Sequence, residues 1–240
     1  MEKIKTALIL AGGKGTRFSE YTDKIPKPMI QAKNKPLLVH IMNIYIQQGI
    51  KKFIILSGYK SDYIKKYFEN NENFFSNIDL TILDTGLETQ TGGRVKQGIE
   101  LIDEEYFYLT YGDGVGNINL KDLTNFHFEN ETIASLTAVR PPARFGSLDI
   151  NLNSYVTEFG EKNNANEGWI NGGFFILNKK ISEYIGDNRT PLEREPFEHL
   201  AKIKQLKAFK HDGFWRPVDT IRELEVLESE MDQKLFAYYE

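Results

Sequence analysis

The chain has 240 residues, 40% hydrophobic and 27% charged, with a formal net charge of -4 and no cysteine. That balance suits one folded globular domain and excludes a disordered chain, a disulfide scaffold and a thiolate metal site. No apolar run reaches the ~18 residues that a bilayer needs, and a mildly acidic chain is a poor match for nucleic acid, so neither a membrane nor a nucleic-acid partner is expected.

The opening MEKIKTALIL is basic at its start, but its apolar run is too short for a secretory signal and leads straight into a glycine loop, so a cytoplasmic location is expected. KTALILA (5–11) is β-rich and bounded by glycine, which predicts a buried strand. The stretch that follows, AGGKGTRFSEYTDKIPKPM (11–29), carries three glycines, four basic side chains and two prolines. Lys14, Arg17, Lys24 and Lys27, clustered in an acidic chain, point to a small anionic ligand. Two phosphate motifs fail here. No Gly-Lys is followed by Ser or Thr, and Phe18 stands where a dinucleotide fingerprint has its third glycine. The physics behind those motifs still applies: glycines let backbone N–H groups approach phosphate oxygens, and Lys and Arg add charge-assisted bonds. A glycine-rich surface turn with solvated lysines is the competing reading.

Beyond the loop, PLLVHIMNIYIQQ (36–48) reads as a helix, opened by Pro36 and stopped by Gly49. KFIILSG (52–58) is a strand, and SDYIKKYFEN (61–70) a helix whose stripe is Tyr63, Ile64, Tyr67 and Phe68, with Ser61 as its cap. LTILDT (80–85) is a strand, RVKQGIELI a helix, and YFYLTY (106–111) a fourth strand. This alternation predicts an α/β fold with a mostly parallel sheet and helices on both faces, its ligand beyond the carboxyl ends of the strands. The glycine loop and Gly112-Asp113-Gly114 then open onto one crevice if their strands are neighbours. The second half is richer in strands: ETIASLTAV (131–139), SLDI (147–150) and WINGGFFILN (169–178), with KLFAYYE packing at the end. One domain over 1–240 is expected, with a nucleotide half to about 130 and a β-rich acceptor half from about 131.

The pattern L-A-G-G-x-G-T-R over 10–17 followed by P-K-P-M over 26–29 resembles the opening signature of the sugar-nucleotide pyrophosphorylases, nucleotidyltransferases that join an NTP to a sugar 1-phosphate. HIMNIY, GIKKFIILSGYK, TGGRVKQG, TYGDGV, RPPARFGSLDI, INGGFFILN, EREPFEHLA and GFWRPVDT follow in family order, and TGGR with INGGFF resembles the cytidylyltransferase branch. The resemblance implies a Rossmann-like nucleotidyltransferase fold, with a mixed, mostly parallel sheet and a small β-rich acceptor lobe. The implied reaction takes CTP and a hexose 1-phosphate, glucose 1-phosphate first, to a CDP-sugar and pyrophosphate. Mg²⁺ is the implied cofactor and a homo-oligomer the implied assembly.

Carried over residue by residue, the resemblance puts Leu10, Gly12 and Gly13 near base and ribose. Gly15, Thr16 and Arg17 hold the outer phosphates, and Lys27 the α phosphate. Gln90, Thr91, Gly92, Gly93 and Arg94 lie near the base, with Arg94 alternatively reaching phosphate or a neighbouring subunit. Asp113 and Asp219 bind Mg²⁺, while Gly146, Glu161, Lys162 and Gly173 hold the sugar phosphate. Each has a plainer reading. P-K-P is a rigid turn that limits backbone freedom and aims Lys27, or merely exposes it. Asp113 suits an Asp-Gly hairpin, although VGNINLKDL reads as a turn into a helix. Asp219 suits a helix cap, but Thr220 and Glu223 already form a capping box that leaves it free. Glu161-Lys162 suits a solvated surface pair.

Two departures from the family stand out. Asn163 replaces the proline that usually follows this lysine, and the 70–84 segment is short, which bears on acceptor choice and assembly. Another phosphorylated acceptor such as phosphocholine, another NTP, a silent binding homologue and a glycosyltransferase are the rival functions. The last would carry Asp-x-Asp, which YGDGV lacks.

Overall fold

Strand β1 (Thr6–Ala11) is buried along its whole length. Ala7, Ile9 and Ala11 join one apolar cluster, while Leu8 and Leu10 join another. A continuous apolar run therefore means a strand covered on both faces, as parallel sheets require. The computed structural model describes residues 4–18, 22–141, 147–152, 154–160 and 168–232. It continues with β2 (Gln31–Ala32), β3 (Lys35–Pro36), α1 (Leu37–Ile46), β4 (Lys52–Ser57), α2 (Ser61–Asn70), β5 (Asp79–Asp84), α3 (Thr91–Ile99), β6 (Tyr106–Tyr111), β7 (Gly114–Gly116) and α4 (Leu120–Asn130). The remaining elements are β8 (Ala134–Val139), β9 (Ser147–Ile150), β10 (Val156–Gly160), β11 (Ile170–Asn171), β12 (Phe175–Asn178), α5 (Glu195–Lys202), β13 (Leu206–His211), β14 (Trp215–Pro217) and α6 (Ile221–Asp232).

Eight strands form one mixed sheet. β1 lies parallel to β4 and β6, β4 to β5, and β8 to β13, while β12 runs antiparallel to β6 and β8. The expected α/β architecture is therefore present, and β1 and β6 are neighbours, so the loops after them open on one side. The smaller ladders are β2–β3, β9–β10 and β7–β14. No helix among the described residues is long and apolar enough to cross a membrane.

Several expectations need correction. WINGGFFILN is not one strand. It is interrupted between β11 and β12, where Gly173 and Phe174 take positive φ (75° and 50°) and the register against β8 slips from Asn171 opposite Ala138 to Ile176 opposite Ser135. The break is a bulge around Thr137, whose N–H donates to Gly173 O and whose hydroxyl donates to Phe174 O. Ser61 does not cap α2: Lys60, at φ 51°, precedes the helix, and the Ser61 hydroxyl pairs with that of Ser57 instead. Helix α1 starts after Pro36 rather than on it, and stops before Gly49, which has φ 91°. α3 begins at Thr91, three residues before the expected RVKQGIELI, so TGGR is the first turn of a helix. KLFAYYE lies outside the described residues.

Candidate active site

The site grows from the end of β1. Gly112 N–H donates to Leu10 O at 2.9 Å, holding the β6 exit beside the glycine loop. At Gly12 a side chain would overlap the Arg94 guanidinium, and Gly15 has φ 64°, with room for a Cβ denied by Thr22 and Lys27. Glycine is therefore required at both places by approach or by conformation. The loop runs into a single 3-10 turn, Thr16–Phe18, anchored by buried Phe18. Arg17 lies in that turn, and its side chain is outside the described part.

Lys27 starts a second 3-10 turn, Lys27–Met29, between Pro26 and Pro28. Its ammonium donates to Asp113 Oδ2 and to Asp219 Oδ1, both at 2.6 Å. The two aspartates meet because β7 and β14 pair antiparallel, Gly114 opposite Pro217, and Val218 N–H donates to Asp113 O at 3.0 Å. Burial pulls the Lys27 pKa down, yet Asp113 and then Asp219 outweigh it and leave the ammonium above its ordinary value. Thr220 accepts from Glu223 N–H at 3.3 Å, and the Glu223 carboxylate takes Asp219 N–H at 2.8 Å. The capping box expected at α6 is present, shifted by one residue on its return bond, and it leaves the Asp219 carboxylate to Lys27.

The opposite wall is the first turn of α3. Arg94 is 4% exposed, and its guanidinium donates to Ser57 O (2.8 Å), Gly12 O (3.0 Å) and the Thr85 hydroxyl. It ties the glycine loop to the ends of β4 and β5 while lining the cleft, so its guanidinium is engaged by acceptors of the chain itself. Burial lowers its pKa, and Asp84 opposes that shift. Gly92 donates its N–H to Thr190 O and lies off the cleft lining. Thr91 donates to Glu193 Oε2 at 2.6 Å and accepts from Leu192 N–H at 2.8 Å, while Gln90 is exposed at the mouth.

These parts enclose a cleft of about 480 Å³. Of the residues expected to form the site, Leu10, Gly12, Gly13, Gly15, Thr16, Lys27, Gln90, Thr91, Arg94, Asp113 and Asp219 line it together. Gly173 sits in the β11–β12 bulge behind Tyr111, off the lining. Gly146, Glu161 and Lys162 fall outside the described residues. Sequence reasoning missed three contributors. Glu88 lines the mouth, paired with Lys14 at 2.8 Å, which holds its carboxyl below the usual range. Tyr111 lines the cleft two residues before Asp113, and Glu193 stands behind it. Tyr111 had a usable signal, its place at the end of a strand. Glu193 had none beyond its place at the head of EREPFEHLA.

Asp113 and Asp219 suit a divalent cation. Both are hard oxygen donors beside the cleft, partly exposed (39% and 25%), and already converge on one positive charge. Among the described residues no group of three or more Asp, Glu or His side chains is placed to hold a metal ion, so an ion there needs ligand oxygens to complete its shell.

The family described as "Nucleotidyl transferase" matches residues 6–230. The chain is 43% identical over 242 residues to a glucose-1-phosphate cytidylyltransferase of Salmonella typhimurium, covering 92% of this chain and 94% of that one. It is 35% identical over 212 residues to the D-glycero-alpha-D-manno-heptose 1-phosphate guanylyltransferase of Aneurinibacillus thermoaerophilus, covering 87% and 90%. Among solved structures, HddC from Yersinia pseudotuberculosis superposes with a TM-score of 0.74 at 27% identity, covering 95% of this chain and all of that one.

Proposed function

The chain belongs to the nucleotidyl transferase family of enzymes, and on that premise we propose that it makes CDP-glucose and pyrophosphate from CTP and α-D-glucose 1-phosphate. The geometric observation that carries the reading is Lys27 held between Asp113 and Asp219 at the foot of the glycine-loop cleft. The 43% identity to a glucose-1-phosphate cytidylyltransferase supports the choice of substrates.

In the proposed reaction a phosphate oxygen of the sugar 1-phosphate attacks the α phosphorus of CTP. One P–O bond forms, the bond to the β phosphate breaks, and pyrophosphate leaves. The attacking group is already an anion at neutral pH, so no protein base or nucleophile is needed. Catalysis is placement and charge neutralisation. The loop from Gly12 to Thr16 would lend main-chain N–H groups to the phosphates, Lys27 would meet the α phosphate, and Arg17 would neutralise the departing pyrophosphate. Arg94 holds the loop in shape through Gly12. Asp113 and Asp219 would hold Mg²⁺, which supplies Lewis-acid neutralisation of the triphosphate when bound. Glu161 and Lys162 would take the acceptor. The sheet passes from β6 to β12 without interruption, which supports reading both halves as one catalytic domain.

The test is a grid of four NTPs against several sugar 1-phosphates and phosphocholine, with Mg²⁺, scored by pyrophosphate release. CTP with glucose 1-phosphate should give the highest kcat/KM. A better rate with another pair replaces the substrate assignment, and no release from any pair overturns the reaction class.

A further inference from the structure

Two residues with no part in the reaction described above grip the chain on both sides of the glycine loop. Tyr59 and Lys60 connect β4 to α2. Tyr59 N–H donates to Gly12 O at 3.1 Å, at the start of the loop, and Tyr59 OH donates to Thr22 O at 2.9 Å, beyond its end. The Lys60 ammonium donates to Asp23 O at 2.7 Å. Thr22, 3% exposed, carries the grip inward: its hydroxyl donates to Gly15 O and to Phe18 O, each at 3.2 Å. Gly15 O also accepts from Phe18 N–H at 2.9 Å, and Gly12 O from Arg94 Nη2 at 3.0 Å. Both glycine carbonyls are therefore held by two donors apiece.

Holding a carbonyl aims an amide. A trans peptide is planar, so the C=O of one residue and the N–H of the next point opposite ways. Fixing Gly12 O sets the direction of Gly13 N–H, and fixing Gly15 O sets that of Thr16 N–H. Among the described residues neither N–H has a partner within the chain, and Gly13 and Thr16 both line the cleft. The carbonyls are turned into the protein and the amides away from it, the arrangement that binds an anion with several oxygens. Glycine cannot hold such a geometry by itself, since its backbone rotates almost freely. The ties from Tyr59, Thr22 and Arg94 supply what glycine lacks.

We propose that Thr22 and Tyr59 are positioning residues for the triphosphate: Tyr59 sets Thr22, Thr22 fixes the Gly15 carbonyl, and the Thr16 N–H is thereby aimed at a phosphate oxygen. The inference rests on the proposed function, in which this loop takes the phosphates of CTP.

Thr22→Val tests it, because the side chain keeps nearly its shape and loses its proton donor. Steady-state kinetics, varying one substrate with the other saturating, should show KM for CTP raised about tenfold, the scale of one hydrogen bond to a charged group, with KM for the sugar 1-phosphate within about twofold. Thr22→Ser retains the hydroxyl and should recover most of the loss. Tyr59→Phe acts through Thr22 and should raise the same KM about threefold. If Thr22→Val fails to fold by circular dichroism, Tyr59→Phe alone decides. Equal changes in both KM values, no change in either, or a Thr22→Ser variant as impaired as Thr22→Val overturn the inference. Calorimetric titration with inorganic tripolyphosphate separates it from the reading it rests on. A wild type that releases pyrophosphate from no pair of substrates sinks the functional reading. Thr22→Val must then still bind tripolyphosphate about tenfold more weakly than wild type. Equal affinity, or no binding by wild type, sinks the inference as well.

Discussion

Lys27 Nζ lies 2.6 Å from Asp219 Oδ1, although 192 residues separate the two in the chain. The contact exists because β14 returns to pair with β7, and it completes a triad with Asp113 in which one ammonium holds two carboxylates. Replacing Lys27 with Met leaves those carboxylates facing each other across a gap. Turnover should fall by about 10² to 10³-fold, the scale of losing one preorganised charge donor. Stability should fall by about 2 kcal/mol, below the usual cost of breaking a buried pair because Asp113 is partly exposed, which lowers Tm by about 4–8 °C. The sign of the pH dependence follows from the raised lysine pKa. The pair's contribution is fully present below the ordinary lysine value and is lost only as pH rises through the raised one. Thermal melts at pH 7 to 11, with pyrophosphate assays at pH 8, check both; near-normal turnover removes Lys27 from the reaction.

Asp113→Asn separates charge from shape. The amide oxygen still accepts from Lys27, so Tm should stay within a few degrees of wild type. Turnover should drop about 100-fold or more, because the variant weakens any divalent ion held with Asp219. Titrating Mg²⁺ in the activity assay should show half-saturation moved upward in both Asp113→Asn and Asp219→Asn. An unchanged Mg²⁺ requirement in both variants would count against carboxylate ligation.

Arg94→Met should harm the protein differently. The guanidinium serves acceptors in Gly12, Ser57 and Thr85, on three separate segments, and a thioether satisfies none of them. Leaving such buried acceptors unpaired costs about 3 kcal/mol, so Tm should fall by about 6–12 °C. The freed glycine loop should raise KM for CTP more than it lowers kcat. A variant with wild-type Tm contradicts the clamp.

The sequence made the nucleotide side of the site readable and left the supporting contacts hidden, for physical reasons. Strands β1, β4 and β6 were legible because a two-sided sheet demands continuous apolar runs, and ALIL, FIIL and YFYL supply them. Lys27 and Asp113 were legible because short, proline- or glycine-flanked segments carry local signals. The clamp made by Arg94 was not legible, because its acceptors in Gly12, Ser57 and Thr85 are distant in sequence, and Gly92 and Gly93 carry no local sign that they are small so that α3 can pack against the 188–190 segment. Glu193 was invisible as a site residue, since nothing local distinguishes a carboxylate that bonds Tyr111 from one in water. The break in WINGGFFILN was also missed, because Gly172-Gly173 lies inside an otherwise strand-like run and the bulge depends on the register against β8.

His127 provides the last prediction, in acid. Its ring is 1% exposed, packed edge-on between Tyr106 and Phe128, with Nδ1 2.9 Å from the Ser135 hydroxyl and no partner on Nε2. Burial pushes its pKa down to about 4, from an ordinary 6.5. Between those values the unfolded chain binds a proton that the folded chain refuses. The stability this site contributes is therefore complete above about pH 6.5 and declines as pH falls toward 4, by about 2 kcal/mol at pH 5 and about 3 kcal/mol at pH 4. His127→Gln removes the titration while retaining a polar partner for Ser135. His40 and His211, whose pKa values are also lowered by burial, titrate in both proteins, so they cancel in the comparison. Urea unfolding at pH 7.5 and pH 5 should show wild type losing about 2 kcal/mol more than the variant over that interval. Equal losses in the two would mean that the ring takes up its proton inside the folded protein as readily as it does in water.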